Sequence, residues 1–380
     1  MSEITTITNK YLELLQEKGI EVPYISGQKS IDHTQSMAGH IERFIGYTQV
    51  PTGLAGPISI KGLDTKATQH YIPMATTEGA LVASYNRGLK ACELSGGITS
   101  VCIEETVQRS PFFKLEKLSD ALHFGQWVKE QFSQFQKIVS KTSRFAELKD
   151  VQFLHEGNSV TVTFEYTTGA AAGQNMTTIA TAACFGHILH ASPYTITESL
   201  IESNFSGDKK GNSLALSRVR GKKVIAEVTL NKETIKDVLK STPELIVKVW
   251  QAGTLSGIQS GTLGNPAHIS NALAAIYLAC GQDVACVSES SVGIVRMEVV
   301  SSGDLYCSLT LPGLIVGTVG GGTGLATQQE AFKIINCNGP EAANKFAEVC
   351  CAVALAGELS IAGALSAGHF AHAHEKLGRS

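Results

Sequence analysis

Four ionisable residues sit in stretches that are otherwise small, polar-neutral or apolar: Glu78 in PMATTEGALVASYNRG, Lys209 in NFSGDKKGNS, Asp283 in YLACGQDVAC and His374 in GHFAHAHEK. An ionised group taken out of water costs on the order of several kcal/mol unless it is paired, so each of these either pairs internally or shifts its pKa. Internal salt bridging is one reading. The other is chemical. A lysine flanked by carboxylates, as Lys209 is after Asp208, stays charged and can hold a developing alkoxide. A carboxyl desolvated among MATT and GALV, as Glu78 is, keeps its proton near neutral pH and can donate it. A histidine near the chain end, as His374 is, can protonate a departing thiolate or alcohol. Together they make a proton-transfer and oxyanion set, on condition that the fold brings them to one place.

Two other motifs bear on cofactors. His369, His372 and His374 are close in sequence, but steps of three and two residues without a carboxylate or cysteine partner make a weak ligand set, and no metal is expected. The segment GTVGGGTGLATQQ looks like a nucleotide loop. Its glycines miss the G-x-G-x-x-G spacing at every start from Gly317, and no G-K-[ST] follows. A dinucleotide bound there needs a different fold; otherwise the segment is a structural loop.

The elements that would position these groups follow from composition and period. The 380 residues allow a large core and suggest two domains. A net charge of -3 supplies no basic field for nucleic acid or anionic membrane. Nine cysteines without C-x-x-C spacing, behind a start that lacks a secretory pattern, read as reduced thiols of a cytoplasmic protein. Residues 166–197, 250–282 and 305–329 carry no Asp, Glu, Lys or Arg, which implies burial. SDALHFGQWVKEQFSQFQKIV reads as one surface helix, SVTVTFEYTT and KKVIAEVTL as strands, and VCCAVALAGELSIAGALSAGHF, interrupted by Glu358, as a buried helix rather than a membrane span. Charge and periodicity mark about 111–200 as a self-contained α+β unit inserted in the chain.

With these residues in view, IERFIGYTQVPTGLAGP, PMATTEGALVASYNRG, DKKGNS, AIYLACGQD, GTVGGGTGLATQQEA and AGELSIAGALSAGHFAHAHEKLGRS resemble the signature blocks of 3-hydroxy-3-methylglutaryl-coenzyme A reductase, in order, from about Ile41 to Ser380. The spacing resembles the class I, NADPH-dependent branch, in a soluble form. The resemblance implies an α+β fold, with a large domain (1–110 and 201–380) around a long central helix and an inserted ferredoxin-like NADP-binding domain (111–200). It implies a homodimer or homotetramer, with the active site between subunits and IERFIGY as a dimerisation segment. Glu78 matches the family's proton donor, Lys209 the lysine that stabilises the oxyanion, Asp283 the aspartate between them, and His374 the histidine that protonates the coenzyme A thiolate. Ser84 and Arg87 fall on the coenzyme A side, Arg109 and Lys210 at the substrate carboxylate, and His268 and Asn271 in the polar lining. For NADPH, the resemblance implies Ser143, Arg144 and Phe145 at the 2'-phosphate. Gly173, Gln174, Asn175 and Met176, with Gly320, Gly321, Gly322 and Thr323, form the rest of the dinucleotide site.

Two positions depart from the family pattern. Ala170 in GAAAG stands where the family has aspartate, and an ungapped alignment puts Glu202 where class I enzymes have a serine facing the substrate's carboxylate. Facing carboxylates repel, so either the alignment is locally shifted or the acyl group differs. The expected activity is reduction of hydroxymethylglutaryl-coenzyme A to mevalonate. The alternatives are the same chemistry on another acyl thioester and a silent homologue that binds acyl-coenzyme A. Ser380 matches a regulatory phosphoserine of animal enzymes, and as the last residue it reads as an ordinary terminus.

Overall fold

The structure, a computed structural model, describes residues 3–31, 37, 39–63, 66–337, 339 and 341–368, with backbone alone for 3–9. The chain begins with α1 (Glu3–Glu17), the antiparallel pair β1 (Thr52–Lys61) and β2 (Thr68–Ala75), α2 (Leu81–Leu94) and the long strand β3 (Ile98–Arg109). Next come β4 (Phe112–Leu115), α3 (Leu118–Glu130), α4 (Phe132–Thr142), β5 (Glu147–Glu156), β6 (Ser159–Thr167), α5 (Gln174–Ala191) and β7 (Ile196–Leu200). β8 (Gly221–Leu230) then leads to a short turn, α6 (Lys232–Thr234), and to α7 (Pro243–Ser260), α8 (Ile269–Ala279) and α9 (Val287–Ser290). β9 (Ile294–Val299), β10 (Leu305–Leu314), α10 (Ala326–Ile335) and α11 (Ala342–Ser366) complete the described chain. The mixed helix and sheet content is the expected α+β class.

Strands β7, β4, β6 and β5 lie side by side in that order, all antiparallel, and the segment connects them as β-α-α-β-β-α-β. This is the ferredoxin-like order, with the usual first helix split in two. Phe113, Phe124, Phe135 and Phe164 fill a core of its own. The stretch that reads as one surface helix breaks at Gln131 into α3 and α4, and Phe124 and Phe135, one from each half, both reach that core. Strand β3 joins this sheet to the other: its end pairs with β6 through Val107–Arg109, while its body pairs with β8 and, in parallel, with β1.

The second core surrounds α11. Its Ala, Gly, Cys and Ser residues let neighbours approach on nearly every side, and 19 of its 25 residues are buried. By length and composition α11 could cross a membrane, but here sheet and helices cover it. The approach of α2 is the closest. A Cβ on Gly88 would lie 1.9 Å from the Ala356 carbonyl oxygen, and one on Gly357 would lie 2.1 Å from Tyr85 Cε1. Glu358, buried at the middle of this helix, accepts the backbone N–H groups of Ala267 and His268 at 2.8 Å each, which caps the N-terminus of α8 from across the core. Burial pushes its carboxyl up to about 7, and those N–H groups partly offset the shift.

Because backbone rather than a movable side chain faces Gly88, Gly88→Ala is expected to lower stability by about 2–3 kcal/mol or more. Denaturant titration checks this as a lower midpoint at unchanged slope.

Candidate active site

Lys209 lies in the loop between β7 and β8, at φ 58°, a left-handed conformation that non-glycine residues seldom adopt. Its backbone N–H donates to Glu289 Oε1 at 2.9 Å, and its ammonium Nζ is 2.8 Å from Asp283 Oδ2. Asp283 follows α8 and caps the next turn, accepting the Ala285 N–H on Oδ1 at 3.0 Å, so each of its oxygens has a separate task. Both side chains remain accessible, at 47% and 44% exposure. The Asp283 hydrogen bond holds the Lys209 ammonium above its ordinary range, against a smaller desolvation effect. What results is a charged, fixed and reachable donor of hydrogen bonds.

Asp208 is held by arginines: Arg220 Nη2 at 2.5 Å from Oδ1 and Arg109 Nη1 at 3.3 Å from Oδ2. The salt-bridge reading therefore describes Asp208 well, and for Lys209 and Asp283 pairing and chemistry coincide. Arg109, buried at the end of β3, also donates from Nε to Thr178 Oγ1 on α5 at 2.8 Å. Lys210 is exposed, and its Nζ bonds the Asp208 carbonyl oxygen.

The glycine-rich segments meet beside this pair. Thr318 N–H donates to the Ala170 carbonyl at 2.8 Å, and Ala171 bridges Val319 in parallel. A Cβ on Gly317 would lie 2.4 Å from Ala172 N, so the two loops could not close on a larger residue. Ala170 thus joins the loops through its carbonyl. Gly320–Gly322 are exposed or half-buried, with Thr323 beneath bonding the Gly320 carbonyl at 2.7 Å. Gly173, at φ 91°, starts α5 without a side-chain cap, which leaves the first N–H groups of Gln174, Asn175 and Met176 without a capping side chain. Gln174 Nε2 reaches Cys286 Sγ at 2.9 Å, three residues beyond Asp283, and ties the start of α5 to the Lys209 neighbourhood. Ser143 Oγ accepts the N–H groups of Phe145 and Ala146 at 3.1 and 3.2 Å, and the exposed Arg144 guanidinium lies 5.5 Å from the Phe145 ring centre.

The remaining site residues form a second group around α11. Ser84 Oγ is 3.1 Å from Ser360 Oγ, and Arg87 donates to the same residue's hydroxyl and carbonyl, at 2.8 Å for the latter. His268 stacks on Tyr85 and places Nε2 2.8 Å from the Gly357 carbonyl; burial lowers its pKa. Asn271 begins α8, its N–H on the His268 carbonyl at 3.0 Å. Glu78 differs from expectation. The 76–80 loop crosses the surface between β2 and α2, so its side chain is exposed rather than desolvated. Among the described residues, no hydrogen bond or ion pair joins it to Lys209 or Asp283 of the same chain. Glu202 does not face an open site: its two oxygens accept the N–H groups of Ser110 at 3.2 Å and Asn204 at 2.9 Å. His369, His372, His374 and Ser380 lie outside the described residues.

Sequence reasoning passed over Arg220, Glu289 and Glu358, three buried charges around which these groups are arranged. Two of them left a signal. Glu289 is the lone acid in CVSESSVG and Glu358 the lone acid in VCCAVALAGELSIAGALSAGHF, whereas Arg220 is hidden among the bases of SRVRGKK.

The family model described as Hydroxymethylglutaryl-coenzyme A reductase matches residues 6–379. The chain is similar to the 3-hydroxy-3-methylglutaryl-coenzyme A reductase of Pyrococcus abyssi, 41% identical over 99% of this chain and 92% of that protein. It is 40% identical to the enzyme of that name from Methanocaldococcus jannaschii, over 99% of this chain and 93% of that one. Its fold is similar to the class II 3-hydroxy-3-methylglutaryl-CoA reductase from Streptococcus pneumoniae solved with NADPH, at TM-score 0.73 and 18% identity, covering 94% of this chain and 96% of that one.

Asp283→Asn removes the charged acceptor that raises Lys209, so any activity that needs the ammonium is expected to fail at lower pH than in the parent protein. A rate profile over the alkaline range reads the shift directly.

Proposed function

The chain belongs to the hydroxymethylglutaryl-coenzyme A reductase family, and from that premise we propose how its residues carry out the reduction. It reduces 3-hydroxy-3-methylglutaryl-coenzyme A to mevalonate and free coenzyme A, consuming two hydrides and two protons. The observation that carries this reading is the exposed Lys209–Asp283 pair, 2.8 Å apart, beside the meeting of loop 170–173, loop 317–323 and the uncapped start of α5.

The cofactor is NADPH, and when bound it supplies the hydrides. The chain fits it: free N–H groups at Gln174–Met176 suit its pyrophosphate, the open glycines 320–322 allow close approach, and Arg144 with Ser143 and Phe145 suits a 2'-phosphate. As the thioester carbon is reduced, its oxygen gathers negative charge, and the Lys209 ammonium, kept charged by Asp283, holds that charge. Glu78 gives the proton that makes this oxygen a hydroxyl. When the carbon–sulfur bond breaks, the hydroxyl returns its proton to Glu78 as the carbonyl re-forms, His374 protonates the thiolate, and the aldehyde is reduced on the same lysine with its oxygen again taking the Glu78 proton. The exposed Lys210 holds the substrate's free carboxylate, with Arg109, ion-paired to Asp208 at 3.3 Å, beside it. Ser84, Arg87, His268 and Asn271 line the coenzyme A and substrate side. Both Glu202 oxygens turn to backbone donors, at Ser110 and Asn204, which favours a locally shifted alignment over a different acyl group.

The class I branch is supported by about 40% identity to the archaeal enzymes against 18% to the class II structure. We take 111–200 as the cofactor domain within a large domain, 1–110 and 201–380. Nine unpaired cysteines support a cytoplasmic setting. We assign the complete site to a homodimer or larger homo-oligomer, in which the partner's copy of Glu78 completes the Lys209–Asp283 pair. Glu78 is exposed and unjoined to that pair within one chain, and α7 presents Leu255 and Ile258 at 64% and 67% exposure.

Nicotinamide absorbance and thiol release are expected to report turnover of hydroxymethylglutaryl-coenzyme A with NADPH; silence on this thioester and activity on another would overturn the substrate assignment. Co-expressing the two inactive variants Glu78→Ala and Lys209→Ala is expected to restore about a quarter of parental activity, since random pairing leaves one intact site in each mixed dimer. No recovery would place both groups in one chain.

A further inference from the structure

Lys209 is gripped at both ends by one short stretch of chain. Asp283 takes its ammonium, and Glu289, at the far side of the α9 turn, takes its backbone N–H. Glu289 is 3% exposed, and its second oxygen accepts Arg220 Nε at 2.5 Å. Arg220, 4% exposed on the lead into β8, spends its other nitrogens on Asp208 Oδ1 and on the Gln108 carbonyl at 3.1 Å. Two carboxylates and one guanidinium therefore fix residues 208 and 209 from below, while the lysine side chain reaches Asp283 above and stays exposed. Lys209 at φ 58° needs such a hold, because without an acceptor the backbone relaxes toward negative φ and redirects the side chain.

We propose that Glu289, locked by Arg220, is a positioning residue for Lys209: it holds the lysine backbone in its left-handed conformation so that the ammonium stays on Asp283 and faces the reacting oxygen. Glu289 touches neither substrate nor cofactor in this role. The inference rests on Lys209 being the oxyanion-stabilising group, so the parent protein and Lys209→Ala accompany every variant.

The test measures kcat, KM for NADPH and for hydroxymethylglutaryl-coenzyme A, and thermal midpoint in Glu289→Ala, Glu289→Gln, Arg220→Lys and Glu330→Gln. Glu330 is an equally buried acid that holds the N–H groups of Tyr24 and Ile25 away from the site, which makes it a control for loss of a buried carboxylate. Glu289→Ala is expected to lower kcat about 100-fold while KM for NADPH stays within about twofold. Glu289→Gln, whose single carbonyl oxygen replaces two charged acceptors, is expected to fall between that variant and the parent. Arg220→Lys, which keeps the charge and loses the planar bridge, is expected to lose about tenfold in kcat. Glu330→Gln is expected to lose stability and keep kcat. The proposal is overturned by Glu289→Ala with kcat within twofold of the parent or, where that variant does not fold, by the same result in Glu289→Gln and Arg220→Lys. It is also overturned if Glu330→Gln loses as much kcat as the Glu289 variants. A parent that turns over nothing, or Lys209→Ala equal to the parent, defeats the underlying reading of Lys209 and the inference with it.

Discussion

Lys209 and Asp283 stand 2.8 Å apart, both about half exposed, and most of the surrounding structure can be understood as what it takes to keep them so. An ion pair this open gains little from attraction alone, because water screens it and two side chains must be ordered. Its fixity comes from below. The set of buried Arg220, Glu289 and Arg109 with half-buried Asp208 balances two positive against two negative charges, fixes the loop backbone and leaves the lysine head in reach of solvent. The buried part bears the desolvation cost, and the exposed part keeps the chemistry.

The other end of the arrangement reaches into the core. Glu358 on α11 caps α8 at Ala267 and His268, and α8 delivers Asp283 at its far end. The position of Asp283 thus depends on a helix surrounded by protein, and the packing of that helix depends on glycines 88 and 357, where α2 crosses at backbone distance. On the opposite side, Gln174 meets Cys286, so the start of α5 is tied to the same turn that bears Asp283. The start of α5 and both ends of Lys209 are thereby tied to one short segment, 283–289.

Much of this was legible in the sequence, for identifiable reasons. The buried character of α11 shows in its run of small and apolar residues, and the strands β6 and β8 show in their alternation. Asp283 stands out as a lone charge in YLACGQDVAC, and Lys209 as part of a short charged run among small neutral residues. Three features were not legible. Glu78 sits among small residues, but small residues also build exposed loops, and composition alone does not distinguish the two. Glu202 looked misplaced because an alignment shows which residue stands at a position, not that its oxygens turn back to the backbone of Ser110 and Asn204. Arg220 and Glu289 are separated in sequence and meet only through the pairing of β8 with β10, a long-range contact that no local pattern reports.

The proposed chemistry requires Lys209 to act in the transition state rather than in binding. Its most direct test is Lys209→Ala at saturating NADPH and hydroxymethylglutaryl-coenzyme A, with affinity for each measured by calorimetry. A loss of kcat on the order of 10²- to 10³-fold with both dissociation constants within a few-fold of the parent is predicted. An unchanged kcat, or a loss confined to binding, would contradict it.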